Sequence, residues 1–187
     1  MEATVSERVS NSPGPGGGGS PAETSGTVRP IDSGDPSEIA LVAERMRTTL
    51  IEVLGEVRGV AMYSMPWLLD RVRFHLDPSR STGAVFVAED AEGAICGHTI
   101  VRVEPDDGPK SRLFSTIYVE PAHRAAGVAT RLIGRGEAWM QGHGLTHAAT
   151  CTSDANVKLI SLFEKHGYAI VHAESEMVRL QRALDSA

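Results

Sequence analysis

The residues best suited to chemistry lie in a row, Arg124-Ala125-Ala126-Gly127-Val128-Ala129. A strand-like run, Leu113 to Val119, leads into them, and a helix-like run from Gly127 to Met140 follows. The first N–H groups of a helix have no intrahelical partner and sit at the positive end of its dipole. A strand that delivers a small-residue turn onto a helix start is therefore an anion site. Small side chains let the backbone approach phosphate oxygens, and the Arg124 guanidinium can pair with them. The expected ligand carries phosphate. The glycines of a dinucleotide fingerprint are absent, as is the Gly-Lys-Ser/Thr ending of a triphosphate loop.

The elements that must position this turn can be read in order. Val28 to Ile31 is a short strand. Asp35-Pro36-Ser37-Glu38 opens a helix, with Asp as cap, Pro first and Glu third. Its inward face is Ile39, Val42, Met46, Leu50, Val53 and Leu54, and Gly55 ends it. Gly59 to Tyr63 reads as an irregular apolar joint. Ser64 to Leu76 reads as a second helix, with Met65, Leu68, Leu69 and Val72 inward. Three strands follow: Ala84 to Glu89, Ala94 to Val103 and Ser111 to Val119. Gly97 predicts a bulge or a close backbone approach. Beyond the central helix come a strand over Leu145 to Cys151 and a helix capped by Ser153 or Asp154 that reaches His166. Gly167 stands as the αL residue past that helix. Strands over Tyr168 to Ala173 and Met177 to Leu180 close the chain. The order β-α-α-β-β-β-α-β-α-β-β describes an α/β fold, a mixed sheet with helices on both faces.

A second stretch sharpens the first. Asn156-Val157-Lys158-Leu159-Ile160-Ser161-Leu162-Phe163-Glu164-Lys165-His166-Gly167-Tyr168 has Asn, six residues, an aromatic, Glu-Lys and then Gly-Tyr. The earlier turn fits Gln/Arg-x-x-Gly-x-Gly/Ala, and Ile117-Tyr118-Val119-Glu120-Pro121 leads into it. With these motifs in this order the chain resembles the GNAT family of N-acetyltransferases, over roughly Val28 to Leu180. The resemblance implies a mixed, mostly antiparallel central sheet of six to seven strands flanked by helices, acyl-CoA N-acyltransferase-like, with splayed central strands. It implies acetyl-coenzyme A (acetyl-CoA) as co-substrate. Arg124, Ala125, Ala126, Gly127, Val128, Ala129 and Thr130 would hold its pyrophosphate. The main chain of Ile117 and Val119 would pair with the pantetheine arm in the splay, and Asn156 would bond a pantetheine amide or, alternatively, cap its helix. Phe163 would pack on the arm.

The same resemblance implies an N-acetyltransferase that passes acetyl directly to a primary amine of a small molecule or peptide, without an enzyme nucleophile. A backbone N–H of the central strand would stabilise the oxyanion. Where members often carry a Tyr that protonates the leaving thiolate, this chain has Phe163. Where some carry a Glu or His base, it has Leu113 and Ser115. Ser115 can hold a water that relays a proton, and His98 has a suitable unperturbed pKa for a base; Tyr118 and Glu120 are further positions to weigh. Lacking an evident acid and base, the chain also fits a non-catalytic acetyl-CoA-binding sensor or partner module. A generic nucleotide-binding α/β domain is a third reading. A homodimer is compatible with the family, though no residue argues for one.

Composition bounds the rest. The chain has 187 residues, 41% hydrophobic and 22% charged, with a formal charge of −6. That balance argues against a nucleic-acid-binding face. No apolar run reaches the ~18 residues of a membrane span, and the N-terminus has no apolar signal core. Residues 1 to 26, rich in Gly, Pro and Ser, read as a disordered tail, and the family resemblance implies that 27 to 187 form the N-acetyltransferase domain. Cys96 and Cys151 read as buried free thiols, which points to a reducing, cytoplasmic setting. His143 and His147 straddle Gly144 and make no metal motif, so no metal is expected. Glu104, Asp106 and Asp107 form an acidic turn able to attract an ammonium substrate.

Overall fold

The structure, a computed structural model, describes residues 26–103 and 112–184. The expected tail and the acidic turn at Glu104, Asp106 and Asp107 lie outside the described residues. The elements are β1 (Val28–Pro30), α1 (Pro36–Leu54), α2 (Glu56–Met62), α3 (Met65–Leu76), β2 (Gly83–Glu89), β3 (Ile95–Val103), β4 (Arg112–Val119), a 3-10 turn (Pro121–His123), α4 (Val128–Gly142), β5 (His147–Ser153), α5 (Val157–Glu164), β6 (Ala169–Glu174) and β7 (Met177–Ala183).

The start of α1 forms as its sequence dictates. Asp35 caps it, accepting from Ser37 N at 2.7 Å, with Pro36 at the first position, and Gly55 closes it with φ 80. The joint expected at Gly59 to Tyr63 is instead the second half of α2. Its apolar side chains carry no helical stripe because Gly59 alone in α2 is buried, while Val57, Val60 and Met62 are exposed. Gly59 allows α2 to close on α1: a Cβ there would lie 2.6 Å from the Ile51 backbone.

The seven strands run β1-β2-β3-β4-β5-β7-β6, antiparallel except for β4 with β5. Helices α1 and α3 bury Ile39, Val42, Leu68 and Val72 against Val85, Val87 and Ile100 on one face. Helix α4 and α5 bury Ile133, Met140 and Phe163 against Phe86, Val101, Phe114 and Leu180 on the other. Each large apolar side chain so removed from water contributes about 1.5–3 kcal/mol.

Several boundaries differ from expectation, those of α5 most. Helix α5 is capped by Asn156 rather than Ser153 or Asp154, because β5 continues through Ser153 to pair with Met177. It ends at Glu164, and Gly167 turns the chain with φ 81. At Gly97 both expectations hold: the β2–β3 register shifts beside it, and a Cβ there would meet Tyr118 O at 2.9 Å. Of the thiols, Cys96 is buried but Cys151 is exposed, since it lies on the face of β5 opposite the buried Thr150 and Thr152. Among the described residues, no helix is long and apolar enough to cross a membrane.

Candidate active site

The site grows from the way β4 is paired. Val119 stands opposite Gly97 of β3, and Glu120 N donates to Cys96 O at 2.9 Å. That bond makes Val119 and Gly97 a non-hydrogen-bonded pair, so alternation turns the main-chain groups of Ile117 and Val119 away from β3. Thr116 points the other way, its carbonyl accepting from Thr99 Oγ1 at 2.9 Å. On its far side β4 meets β5 only through Leu113 with Ala149 and Phe114 with Thr150. Thr150 Oγ1 donates to Phe114 O at 3.2 Å where the ladder ends. Past that point β5 pairs with β7 alone. The splay leaves the main chain of Ile117 and the N–H of Val119 facing a gap, a template for an extended polar chain.

The strand then enters the turn. Ala125 has φ 61 and Gly127 has φ 77, both left-handed, and Gly127 is the cap of α4. A left-handed non-glycine residue costs on the order of 1 kcal/mol, held by its surroundings. Ala125, Ala126 and Gly127 are exposed while Val128 is buried and anchors the helix start. Gly127 supplies no capping side chain, and its Cβ direction is open apart from Arg131 Nη1 at 3.7 Å. The first N–H groups of α4 lack an intrahelical partner and follow an exposed turn, a position suited to an anion.

Arg124 reaches across the strand end. Its Nε donates to Val119 O at 2.9 Å, and Nη2 pairs with Glu52 of α1 at 2.8 and 3.2 Å. Its guanidinium also lies 5.9 Å from the centre of the Tyr118 ring. Arg45 lies 5.7 Å from the centre of the same ring. Arg45 is 5% exposed, forms an ion pair with Glu120 and donates to Ile95 O. Neither Arg45 nor Glu52 emerged from sequence reasoning. The available signal was an arginine on the buried side of α1, beside Val42, where a charge demands a partner.

The remaining expected residues separate. Ser115 is exposed on β4, just past the last residue paired with β5, and Leu113 is buried. His98 is fully buried, stacked 6.0 Å from Tyr118, with neither ring nitrogen bonded among the described residues. Burial, then Arg45, pushes its pKa down to about 3, so it is neutral. Having no exposed surface, it offers no contact to an acceptor. Asn156 caps α5, Oδ1 accepting from Leu159 N at 3.3 Å, while Nδ2 donates to Thr152 Oγ1 of β5 at 3.0 Å. Thr130, in the first turn of α4, bonds His166 Nε2 at 3.0 Å. His166 Nδ1 lies 2.8 Å from Leu162 O; a carbonyl only accepts, so Nδ1 carries the proton. Phe163 is 0% exposed, tilted against Phe114 at 5.4 Å and edge-on to Tyr168 at 4.9 Å. It is a core residue beneath the seam. His143 and His147 bond Trp139 O and Thr146, and no group of three potential metal ligands gathers among the described residues.

The fold is similar to a PaiA N-acetyltransferase from Thermoplasma acidophilum solved with coenzyme A, at 14% identity, covering 85% of this chain and 99% of that one, with a TM-score of 0.67. It is also similar to a spermidine N-acetyltransferase from Vibrio cholerae solved with CoA and spermine, at 20% identity, covering 85% and 95%, TM-score 0.61. A NatC complex bound to Gag peptide and CoA matches at 17% identity, 86% and 99%, TM-score 0.67. In sequence, the acetyl transferase GW6a of Oryza sativa subsp. japonica is 38% identical over 77 residues, 40% of this chain; the match spans only 18% of that relative's length. The sequence profile of the acetyltransferase (GNAT) family matches residues 43–168. The chain belongs to the acetyltransferase (GNAT) family.

Proposed function

We propose that the chain transfers an acetyl group from acetyl-CoA directly to a primary amine of a small molecule or peptide. The observation that carries the reading is the pairing of β4: two ladder pairs with β5, then a gap faced by the main chain of Ile117 and the N–H of Val119. A pantetheine arm, which has amides at intervals, fits such an edge as an added strand. The exposed turn from Ala125 to Gly127 and the first amides of α4, through Thr130, suit its pyrophosphate. Proteins of similar fold bind coenzyme A, one with spermine and one with a peptide, which favours an amine acceptor.

In this reading acetyl-CoA supplies an activated acyl group. The chain's part is to bind, orient and polarise. The N–H of Ile117 or Val119 faces the gap and can donate to the thioester oxygen as negative charge develops there. The acceptor nitrogen bonds to the acyl carbon, the carbon–sulfur bond breaks, and the thiol leaves as thiolate. Phe163 gives it no proton. Ser115, exposed beside the splay, holds the water that carries the amine's proton outward. Asn156 keeps α5 fixed to Thr152, which holds the far wall of the gap. With no carboxylate or imidazole assigned as base, turnover should rise with pH as the acceptor ammonium loses its proton.

The test is thiol release from acetyl-CoA across a panel of small amines and peptides, with the product identified by mass. Turnover with at least one amine is the expected result. Tight coenzyme binding with no turnover on any amine would favour the sensor reading instead.

A further inference from the structure

Helix α1 holds the end of β4 through two ion pairs of opposite polarity. Arg45 and Glu52 lie two turns apart on one side of the helix. Arg45 reaches out to Glu120, and Arg124 reaches back to Glu52. Their surroundings differ. The Arg45 side chain is 6% exposed, and separating it from Glu120 would strand a buried cation. The Arg124 and Glu52 side chains are 39% and 42% exposed, and an exposed pair of this kind contributes little and is readily exchanged. The first pair is a fixed hinge and the second an exchangeable arm.

Arg124 begins the turn whose amides suit a pyrophosphate. A pyrophosphate carries more charge than one carboxylate and accepts from the same guanidinium edge. Glu52 is thus a competitor for that edge. It also sits in the last turn of α1, which has no basic residue to offset it at the negative end of the helix. Arg124 is the counter-charge that Glu52 has there.

We propose that Arg124 exchanges between Glu52 and the pyrophosphate of the coenzyme, so that Glu52 sets how tightly the coenzyme binds. The inference rests on the acetyl-CoA reading above. Competition of this kind weakens the acylated coenzyme and the free thiol product alike. It acts on binding and not on the chemical step.

The test is calorimetric titration of coenzyme A into wild type, Glu52→Gln, Arg124→Gln and the double variant. Glu52→Gln should tighten binding by about two- to fivefold, the range of one exposed ion pair. The gain should vanish in the Arg124→Gln background and shrink as salt rises. Binding no tighter in Glu52→Gln overturns the exchange. An equal gain with and without Arg124 also overturns it, since Glu52 would then act only as a nearby negative charge. Absence of coenzyme A binding by the wild type would instead overturn the acetyl-CoA reading, and the inference with it.

Discussion

Adding one methyl group to Gly127 separates the role of the turn from its fold. Gly127 has φ 77, so Gly127→Ala forces a side chain into the left-handed region. That costs about 1–2 kcal/mol. No steric term adds to it, because the nearest atom to the new Cβ is Arg131 Nη1 at 3.7 Å. Gly144 provides the control: it has φ 70 and nothing within 4 Å of its Cβ position, and it lies at the opposite end of α4. Both variants should therefore lose about the same stability, a fall in Tm of roughly 2–8 °C at about 2–4 °C per kcal/mol. Only Gly127→Ala places a methyl group where phosphate oxygens must approach. Its affinity for coenzyme A should fall at least about tenfold, equivalent to about 1.4 kcal/mol, while Gly144→Ala binds as wild type. Thermal melts and calorimetric titration give both quantities. Equal melting shifts with unchanged coenzyme affinity in Gly127→Ala would refute the assignment of the turn.

Other expectations follow from buried groups. Glu120→Gln leaves Arg45 as a buried, unpaired cation and should cost about 3 kcal/mol; Arg45→Met leaves only the half-exposed Glu120 and should cost less, an ordering that urea denaturation can check. His98 and His75 have pKa values pushed down by burial, to about 3 and about 4. Each binds its proton more readily when unfolded, near pH 6.5, so stability is full above that pH and falls as pH drops toward 4. The loss at pH 5 should be roughly 2 kcal/mol per histidine, and His98→Leu should flatten the curve by about that amount. Phe163→Tyr would bury a hydroxyl between Phe114 and Tyr168, so it should destabilise by about 1–3 kcal/mol without raising turnover; a stable variant with faster turnover would mean that the ring reaches the reacting sulfur.

Most of the fold was legible because its signals are local. The cap at Asp35, the stripe from Ile39, the alternating β runs and the turn glycines each encode their own element. Helix α2 was not legible, since exposed Val57, Val60 and Met62 give no inward period and the burial of Gly59 depends on α1. The cap of α5 was misplaced because Ser153, Asp154 and Asn156 are all good caps, and only pairing of β5 with β7 decides among them. In the site, the left-handed turn before α4 was legible in its small residues, whereas the orientation of Ile117 and Val119 depends on the β3–β4 register, which the sequence does not carry. The ion pairs of Arg45 and Glu52 were not legible either, because each joins residues more than 70 positions apart. The burial of His98 was equally hidden: a histidine in an alternating strand reads the same whether a helix covers it or not.

In the proposed function acetyl-CoA lies along β4 and at the start of α4, and amide chemical shifts read that placement residue by residue. Titrating acetyl-CoA into 15N-labelled protein should move the resonances of Ile117, Val119, Gly127, Val128, Ala129 and Thr130, and leave those of Gly93 and Gly144 in place. Saturable shifts confined to other parts of the sheet, with these amides unmoved, would contradict it.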